Sequence, residues 1–396
     1  MRNVLIVLAS LLMSCSSPKA PSVAQPEKLT LYSGDAGVTC PTPAQLETDI
    51  DNADQDDVIS LSGVNPINCP EVAMETTWAG GKLIFSDSPE TPTVRGKLYE
   101  DTTLGATSGT DYNRLFVYHV NGYASDRLKV AILLKNNSGS SGTLTVQKSG
   151  MAGPSTSYLY VGKLAFYRWL TSSAASPVTV TAGSTVRVVT DIETTAAKDY
   201  LMHGIYDYSF TQDHTITICA LYKNDNPLTV CPGLSVLSRD THQRGTFPYS
   251  DKVYDTASGT DIDTEDGIVQ FPTGANTTDD PTAVGTDKTD DSSQTLAGNY
   301  GILYKVHLNT KATDAKKMGF LINPRGGTWG GAIWPVAGIT AGGKFLIPAT
   351  TASVSSNTDG AVFGKYDPGE ALTVWYQFMP TGGSSMPLRI VAVPYE

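Results

Sequence analysis

Apolar and polar positions alternate in short runs along most of the chain, and this alternation predicts β-strands. The runs are rich in Val, Ile, Thr and Tyr, and Gly, Asn, Ser and Pro separate them. No regular helical pattern alternates with them, which favours antiparallel β-sandwiches over a parallel α/β sheet. The predicted strands are Lys82–Phe85, Arg114–Val120, Leu128–Leu134, Gly142–Gln147, Val178–Thr181, Thr185–Thr190, Thr215–Leu221, Tyr300–Leu308, Lys317–Ile322, Lys344–Ile347, Ala371–Phe378 and Leu388–Val393.

One segment has the pattern of a short helix. Thr42 followed by Gln45 matches a capping box, with Pro43 at the first helical position. Leu46 and Ile50 then fall on one face of the helix. The predicted fold class is therefore all-β, with two tandem antiparallel β-sandwich-like domains and one short helix near the N-terminus.

A coarse internal repeat predicts that the two domains are related. Val117–Val120 matches Leu303–Val306 at an offset of 186 residues, and Val130–Leu134 matches Met318–Ile322 at an offset of 188. A third match sets Gly183, Val186 and Val188 against Gly369, Leu372 and Val374. The alternative is that strands of similar composition align by chance. A true repeat means two sandwiches of related topology in tandem.

The first residues predict export from the cytoplasm. Val4–Met13 is an apolar run after Arg2, of signal-peptide length and too short for a permanent membrane span. The segment Leu12–Cys15 resembles the lipobox of bacterial lipoproteins, which implies cleavage before Cys15 and a lipid on its thiol. A plain signal peptide with a stray cysteine is the alternative. Ser16 after the cysteine suggests the outer membrane if the organism has two membranes.

These patterns divide the chain into successive parts. The segment after Cys15 is polar and contains proline, as a tether between a lipid and a folded body would be. The predicted parts are a lipoprotein signal peptide at 1–14, the lipidated cysteine and tether at 15–28, a first β domain at 29–230, and a second β domain at 231–396 with an acidic loop at 255–291.

Four cysteines remain after Cys15, an even number that fits two disulfides in an exported chain. Three connectivities are possible, and we predict the two local pairs, Cys40 with Cys69 and Cys219 with Cys231. Turn residues between Cys219 and Cys231 favour a hairpin stapled at its base. The spacing of the four cysteines does not match a zinc site.

Composition excludes several classes of function. Lys and Arg number 28 against 39 Asp and Glu, and a net charge of −11 argues against a nucleic-acid partner. The chain has no Gly-x-Ser-x-Gly elbow, no His-Glu-x-x-His motif and no phosphate-binding loop. Glycosidase carboxylates need no local motif, so enzymatic activity stays undecided, with a non-enzymatic role favoured.

Two loops contain residues suited to an anionic glycan. Arginine forks bind carboxylates, and an exposed indole ring stacks on a sugar. We therefore expect the two loops to form one binding face, if there is a ligand. The alternative is that the arginines pair with acids across the domain junction and that the tryptophans belong to the core. The candidate residues are Arg239, His242 and Arg244 in the first loop and Arg325, Trp329 and Trp334 in the second.

An acidic stretch offers a weak calcium site. Calcium takes several oxygen ligands from a flexible acidic loop, but the spacing fails the EF-hand pattern because Asp266 stands where glycine is required. A solvated acidic loop is the alternative. The candidate ligands are Asp261, Asp263, Glu265 and Asp266, and the sequence predicts no other cofactor.

Several segments between about residues 80 and 335 resemble a group of uncharacterised exported bacterial proteins that often bear the label of a copper-amine-oxidase-like N-terminal domain. They are Leu83–Glu90, Gly153–Lys163, His203–Asp207, Leu237–Pro248, Gly298–Gly301 and Asn323–Gly327. The resemblance implies a β-rich extracytoplasmic surface protein without implying amine oxidation. Asn299 and Tyr300 are followed by Gly301 where a self-processed quinone site has an acid, and no His-x-His pair is present for copper. Tyr158 and Tyr160 within these segments are expected on a strand face or in a cleft.

Together these features predict a lipid-anchored bacterial cell-surface protein. Its expected role is binding or cell-envelope structure, its expected partners are the membrane through the lipid and a glycan or surface protein, and an anionic glycan is the expected ligand. An enzyme that acts on envelope polysaccharide and a self-assembling surface-structure subunit are the two alternatives.

Overall fold

The computed structural model describes residues 39–107, 111–278, 280–338, 343–349, 351–366 and 372–396. The predicted signal peptide, Cys15 and the tether lie outside these residues. The described helices are α1 (Ala44–Asn52), α2 (Tyr158–Thr171) and α3 (Pro227–Val230). Among these residues, no helix combines the length and the apolar character that a membrane span requires.

Strands are the commonest regular element in the described chain and helices are few, so the predicted all-β class is confirmed. In chain order they are β1 (Val58–Ser60), β2 (Met74–Ala79), β3 (Leu83–Ser86), β4 (Gly96–Leu104), β5 (Asn113–Val120), β6 (Leu128–Asn136), β7 (Gly142–Ser155), β8 (Val178–Val180), β9 (Thr185–Arg187), β10 (Thr195–Ala196), β11 (Leu201–Phe210), β12 (His214–Tyr222) and β13 (Arg244–Phe247). The second half continues with β14 (Asp251–Thr256), β15 (Ile262–Asp263), β16 (Val269–Thr273), β17 (Val284–Asp287), β18 (Ser292–Thr295), β19 (Leu303–Lys311), β20 (Lys317–Pro324), β21 (Gly331–Ala337), β22 (Phe345–Ile347), β23 (Asp359–Tyr366), β24 (Leu372–Phe378) and β25 (Leu388–Tyr395).

These strands form four sheets, which pack as two sandwiches. Sheet I has the order β10-β6-β12-β4, with β9 beside β6, and sheet II has the order β18-β17-β13-β3-β5-β11-β7-β8. Sheet III has the order β2-β14-β19-β24-β21-β22, with β15 beside β19, and sheet IV has the order β1-β23-β20-β25-β16. One core lies between sheets I and II. A second core holds apolar residues of sheets III and IV together with those of helix α2 and of the other face of sheet II.

The two sandwiches have the same topology. In the first, β5 pairs in parallel with β3 and antiparallel with β11, β11 pairs with β7, and β12 lies between β6 and β4. In the second, β19 pairs in parallel with β14 and antiparallel with β24, β24 pairs with β21, and β25 lies between β20 and β16. Strand order therefore supports the first two matches of the predicted repeat, which align β5 with β19 and β6 with β20. The third sequence match is wrong, because it aligns β9 with β24, whereas β9 corresponds to β23 in position.

Strand pairing does not respect the predicted boundary at residues 230 and 231. Strands β1 and β2 pair with β23 and β14 of the second sandwich, while β13, β17 and β18 extend sheet II of the first. An unpaired sheet edge exposes backbone donors and acceptors, and here β2 and β13 cover the edges of β14 and β3. The sheets are also not wholly antiparallel, since β3 with β5, β14 with β19, and β15 with β19 are parallel pairs.

The predicted helix is present, but it is not the only one in the described residues. Helix α1 begins at Ala44 after Pro43, without a side-chain cap, and buries Leu46 and Ile50 against sheet IV. Helix α2 was not predicted. It packs closely on the outer face of sheet II, because a Cβ at Gly150 would lie 2.1 Å from the carbonyl oxygen of Ala165.

Both predicted disulfides, Cys40–Cys69 and Cys219–Cys231, are confirmed. They are compatible with an extracytoplasmic protein. The first joins the segment before α1 to the outer side of sheet IV, and the second ties the segment around α3 to sheet I.

The predicted acidic loop at 255–291 is largely ordered structure. It contains β15, β16 and β17, and every residue of β16 is buried. Asp280 is fully buried against Lys252, and Asp287 is fully buried against Arg244. Buried carboxylates need paired cations, so part of this acidic stretch serves the core rather than the solvent.

Candidate functional site

The outer face of sheet III has two tryptophans on adjacent strands. Trp334 on β21 lies opposite Gln377 on β24, and Gln377 lies opposite Lys305 on β19. Trp375 lies opposite His307 in the next row, with ring centroids 5.0 Å apart. Residues two apart on a strand project from the same face, so these side chains form one surface. Both indole rings are half-buried, which leaves part of each ring accessible.

Two lysines from distant parts of the chain meet at the Trp334 end of this surface. Lys344 Nζ lies 4.5 Å from the Trp334 ring centroid and donates a hydrogen bond to the Leu170 carbonyl at 2.6 Å. Lys148 Nζ lies 4.9 Å from the Trp169 ring centroid and donates to the same carbonyl at 3.3 Å. Leu170 is in the last turn of α2, where cations are favourable. Burial, and then the charge of Lys344, lower the pKa of Lys148.

A buried ion network lies behind these lysines and joins the two sandwiches. Arg114 on β5 is fully buried and bonds to Asp207 of sheet II at 2.8 Å and to Asp251 of sheet III at 3.1 Å. Lys305 shares Asp251 at 2.7 Å. Burial raises the pKa of Asp207, although the charge of Arg114 opposes the shift. Asp207 lies opposite Lys148 in strand register, and its charge opposes the lowering of the Lys148 pKa. Among the described residues, neither Asp207 nor Asp251 forms an ion pair with Lys148 or Lys344.

We call this surface the cationic–aromatic face, and its residues are Lys148, Lys344, Trp334, Trp375, Lys305 and His307. Within the described chain, neither Lys148 nor Lys344 forms an ion pair with a carboxylate. Asp255 marks the opposite limit of the face, where it lies 2.7 Å from His307 Nδ1. Indole rings offer flat apolar contact and lysines attract anionic groups, so the face suits a ring-shaped ligand that carries negative charge.

His242 does not lie on the cationic–aromatic face. It belongs to a second cluster, which is formed with residues of the loop after β3. Its Nε2 is 2.7 Å from Glu90 and its Nδ1 is 3.1 Å from Asp240. We call Asp87, Glu90, Asp240 and His242 the acidic clasp. Burial raises the pKa of Glu90 and, reinforced by Glu90 and Asp240, that of Asp87. Burial would also raise the pKa of Asp240, but hydrogen bonds from the backbone of His242 and Glu90 lower it.

The charges of the acidic clasp do not favour an anionic ligand. Its carboxylates surround the imidazole of His242, which is 43 % exposed, and Asp240 also accepts hydrogen bonds from Ser88 Oγ and Glu90 N. The segment that follows β12 is thereby fastened to the loop after β3. Both partners of the imidazole are acids, which favours a structural role for His242, and its role in binding an anion stays a prediction.

Arg239 and Arg244 both lie near acids, as the alternative to ligand binding predicts. Arg244 is buried, with its Nε 2.8 Å from Asp287 and its Nη1 donating to the carbonyls of Leu98 and Leu237. Arg239 is partly exposed but lies 3.8 Å from Asp287 and 3.5 Å from Asp290. Arg244 is therefore not available to a ligand, and its predicted role in binding an anion is wrong. The predicted role of Arg239, whose side chain is 30 % exposed, stays a prediction.

The glycine-rich loop separates its two tryptophans. Trp329 is 1 % exposed, and a Cβ at Gly331 would lie 2.8 Å from its ring, so the glycine makes room for a core side chain. The predicted accessible ring at Trp329 is therefore wrong. Arg325 donates to Asn65 at 2.7 Å, away from the cationic–aromatic face. Trp334 alone of the six predicted ligand residues lies on that face.

The four predicted calcium ligands do not converge. Asp263 accepts hydrogen bonds from Glu265 N at 3.3 Å and from Thr313 Oγ1 at 2.9 Å, and Asp266 bonds back to Asp263 N. Lys311 lies 3.4 Å from Asp263 and 3.7 Å from Asp261. In the ranges that the structure describes, no three His, Cys, Asp or Glu side chains are arranged to hold a metal ion.

Comparisons with known proteins give no family. No family model and no curated protein matches the chain. Among solved structures, the PBSX exported protein XepA is 12 % identical, with 93 % of this chain and 98 % of that chain covered, at a TM-score of 0.16. Lac15 from a marine microbial metagenome is 11 % identical, with 80 % and 74 % covered, at a TM-score of 0.15. Neither similarity is close enough to inform fold or function.

Proposed function

We propose that the chain is an extracytoplasmic binding protein of the bacterial cell surface, attached to lipid through Cys15, and that it holds an anionic glycan on its cationic–aromatic face. The observation that carries the proposal is the placement of Lys344 over Trp334, with Trp375 on the next strand and Lys148 beside it. A sugar ring stacks on indole through its C–H face, and its acid group then meets a lysine.

Charge supports an acidic polymer as the ligand of this particular face. The protein has a net charge of −11, so most of its surface repels polyanions. A local excess of lysine gives the cationic–aromatic face the opposite sign. The buried Arg114 network keeps sheets II and III in register behind it, so Lys148 of one sheet and Lys344 of the other hold their spacing.

The binding test uses the mature protein with polygalacturonate as the acidic polymer and dextran as the neutral one. We expect polygalacturonate binding that weakens as salt rises, and little dextran binding. The Trp334→Ala and Trp375→Ala variants should each lose about tenfold in affinity or more, because each removes a buried apolar contact with the sugar. Tyr200→Ala is the control, since Tyr200 is an exposed aromatic on another surface.

Binding that both tryptophan variants retain in full would refute the proposed site. Release of reducing ends from the polymer would favour the polysaccharide-acting enzyme instead. Concentration-dependent self-association without glycan would favour the surface-structure subunit.

The lipid attachment is tested separately. Expression in a bacterium with labelled fatty acid should label the parent chain and leave a Cys15→Ser variant unlabelled. Equal label in both chains would remove the anchor from the proposal while leaving the glycan site untouched.

A further inference from the structure

A cleft of about 290 Å³ lies on the outer face of sheet I, in the first sandwich. It shares no residue with the cationic–aromatic face. Its walls come from three neighbouring strands, from β9 and from the turn after α3. The lining residues are Lys97, Glu100, Thr102, Leu133, Lys135, Thr185, Thr215, Thr217, Cys231 and Pro232.

Strand register explains how the cleft is built. Thr217 on β12 lies between Glu100 on β4 and Leu133 on β6, so these three side chains form one row on the outer face. In the next row, Thr215 lies opposite Lys135, which lies opposite Thr185 on β9. The floor therefore combines one apolar side chain with threonine hydroxyls.

A disulfide closes one end of the cleft. Cys231 lines the cleft and is bonded to Cys219 on β12, which fixes the turn containing Pro232 against the sheet. Apolar residues beneath this turn form a small core of their own on the outer face of sheet I. The end wall is thus covalently attached rather than a free loop.

The charges of the cleft do not cancel. Lys97 Nζ lies 2.9 Å and 2.8 Å from the two Glu100 oxygens, and Thr217 Oγ1 donates to one of them at 2.9 Å. Glu100 is thereby satisfied by its neighbours. Lys135 is exposed at the cleft and forms no ion pair with any residue that the structure describes. One positive charge is left to face the cleft.

We propose that this cleft is a second binding site, for a small hydroxylated carboxylate of the size of a single sugar acid. The carboxylate pairs with Lys135, the hydroxyls bond to Thr102, Thr185 and Thr215, and the ring lies over Leu133. The volume is just below the range of about 300 to 1,000 Å³ for ligand pockets, which favours a ligand of the size of a single sugar. The cleft lining has no aromatic ring, so recognition depends on charge and hydroxyl bonds.

The test is calorimetric titration of the mature protein with galacturonate, and with galactose as the uncharged match. We expect galacturonate to bind and galactose to bind at least tenfold more weakly, since a charged hydrogen bond is lost. Lys135→Gln should lower galacturonate affinity by a similar factor. Lys198→Gln, at another exposed lysine, should leave it unchanged.

A second arm separates this site from the glycan face. The Trp334→Ala and Trp375→Ala double variant should bind galacturonate as the parent does. Undiminished binding by Lys135→Gln, or no galacturonate binding by the parent, would overturn the proposal. Loss of binding in the tryptophan variant alone would overturn it as well, by assigning the sugar acid to the other face.

Discussion

Replacing Arg114 with methionine tests whether the buried ion network holds the two sandwiches together. The side chain of Arg114 is fully buried and donates to both oxygens of Asp207, at 2.8 Å and 3.1 Å, and to the carbonyls of Ser250 and Gly301. Methionine fills similar space but provides no charge and no donor. The substitution therefore leaves Asp207, which is 2 % exposed, without its cation.

The expected cost follows from the partner that remains. Asp251 keeps Lys305 at 2.7 Å, so the loss concerns mainly Asp207. Removing one partner of a buried ion pair costs about 3 to 5 kcal/mol. Since domains are stable by only about 5 to 15 kcal/mol, Arg114→Met should shift urea unfolding strongly at pH 7. Arg127→Met, at an exposed arginine, is the control and should change stability by less than about 0.5 kcal/mol.

The pH dependence of this loss has a defined sign. Burial already raises the pKa of Asp207 in the parent, and removing Arg114 raises it further because the opposing charge is gone. A carboxyl whose folded-state pKa exceeds the unfolded value destabilises the protein once the pH rises above the unfolded value, about 3.9. The deficit of Arg114→Met should therefore be largest at pH 7 and shrink as the pH falls toward about 4.

Adding Asp207→Asn should recover much of the lost stability at pH 7, because the uncompensated charge is then removed. Unfolding followed by tryptophan fluorescence and circular dichroism measures both variants. A loss below about 1 kcal/mol at pH 7, or a loss that is equal at pH 4.5 and pH 7, would refute the assignment of Arg114 as the cation that Asp207 requires.

Three further predictions concern stability. Asp87→Asn should raise the melting temperature at pH 7 to 8 and change it little near pH 4, because burial and neighbouring acids raise the pKa of Asp87; an unchanged melting temperature at pH 8 contradicts this. Replacing Cys219 and Cys231 with alanine should cost about 3 kcal/mol in urea unfolding, and a cost near zero contradicts the closed loop. Gly331→Ala should cost about 1 to 3 kcal/mol by crowding Trp329, whereas Gly139→Ala, in open space, should not.

Much of the fold follows from local pattern. Each of the twelve predicted strands coincides with an observed strand, because short runs of β-branched and aromatic residues between turn residues specify strands locally. Strand β11 is one of several that the sequence does not predict, because it is buried on nearly every residue and therefore lacks alternation. The others include β2, β4, β13, β16, β21 and β23. Helix α2 was missed because residues from Tyr158 onward include aromatic and β-branched side chains that also suit strands.

The local sequence pattern does not predict which distant strands pair with each other. Nothing near Met74–Ala79 indicates that this strand joins β14 of the second sandwich, nor does Arg244–Phe247 indicate that it joins β3 of the first. Both choices depend on which sheet edge is open, and this is a property of the assembled sheets. The same limit explains why local pattern predicts a loop at 255–291, with a calcium site or solvated acids, although Asp280 and Asp287 are fully buried.

The candidate binding residues also depend on strand pairing that the local sequence does not predict. Arg239, His242 and Arg244 are close in sequence, yet in a protein of net negative charge acids lie within reach of each of these side chains. Trp329 and Trp334 belong to one glycine-rich segment, but the chain enters β21 between them, and strand alternation then places Trp334 on the outer face. Its partners Lys148 and Trp375 come from strands far apart in the chain. In this protein, charged and aromatic residues that are close in sequence therefore predict a site less well than strand pairing does. Strand pairing decides on which face of a sheet each side chain lies.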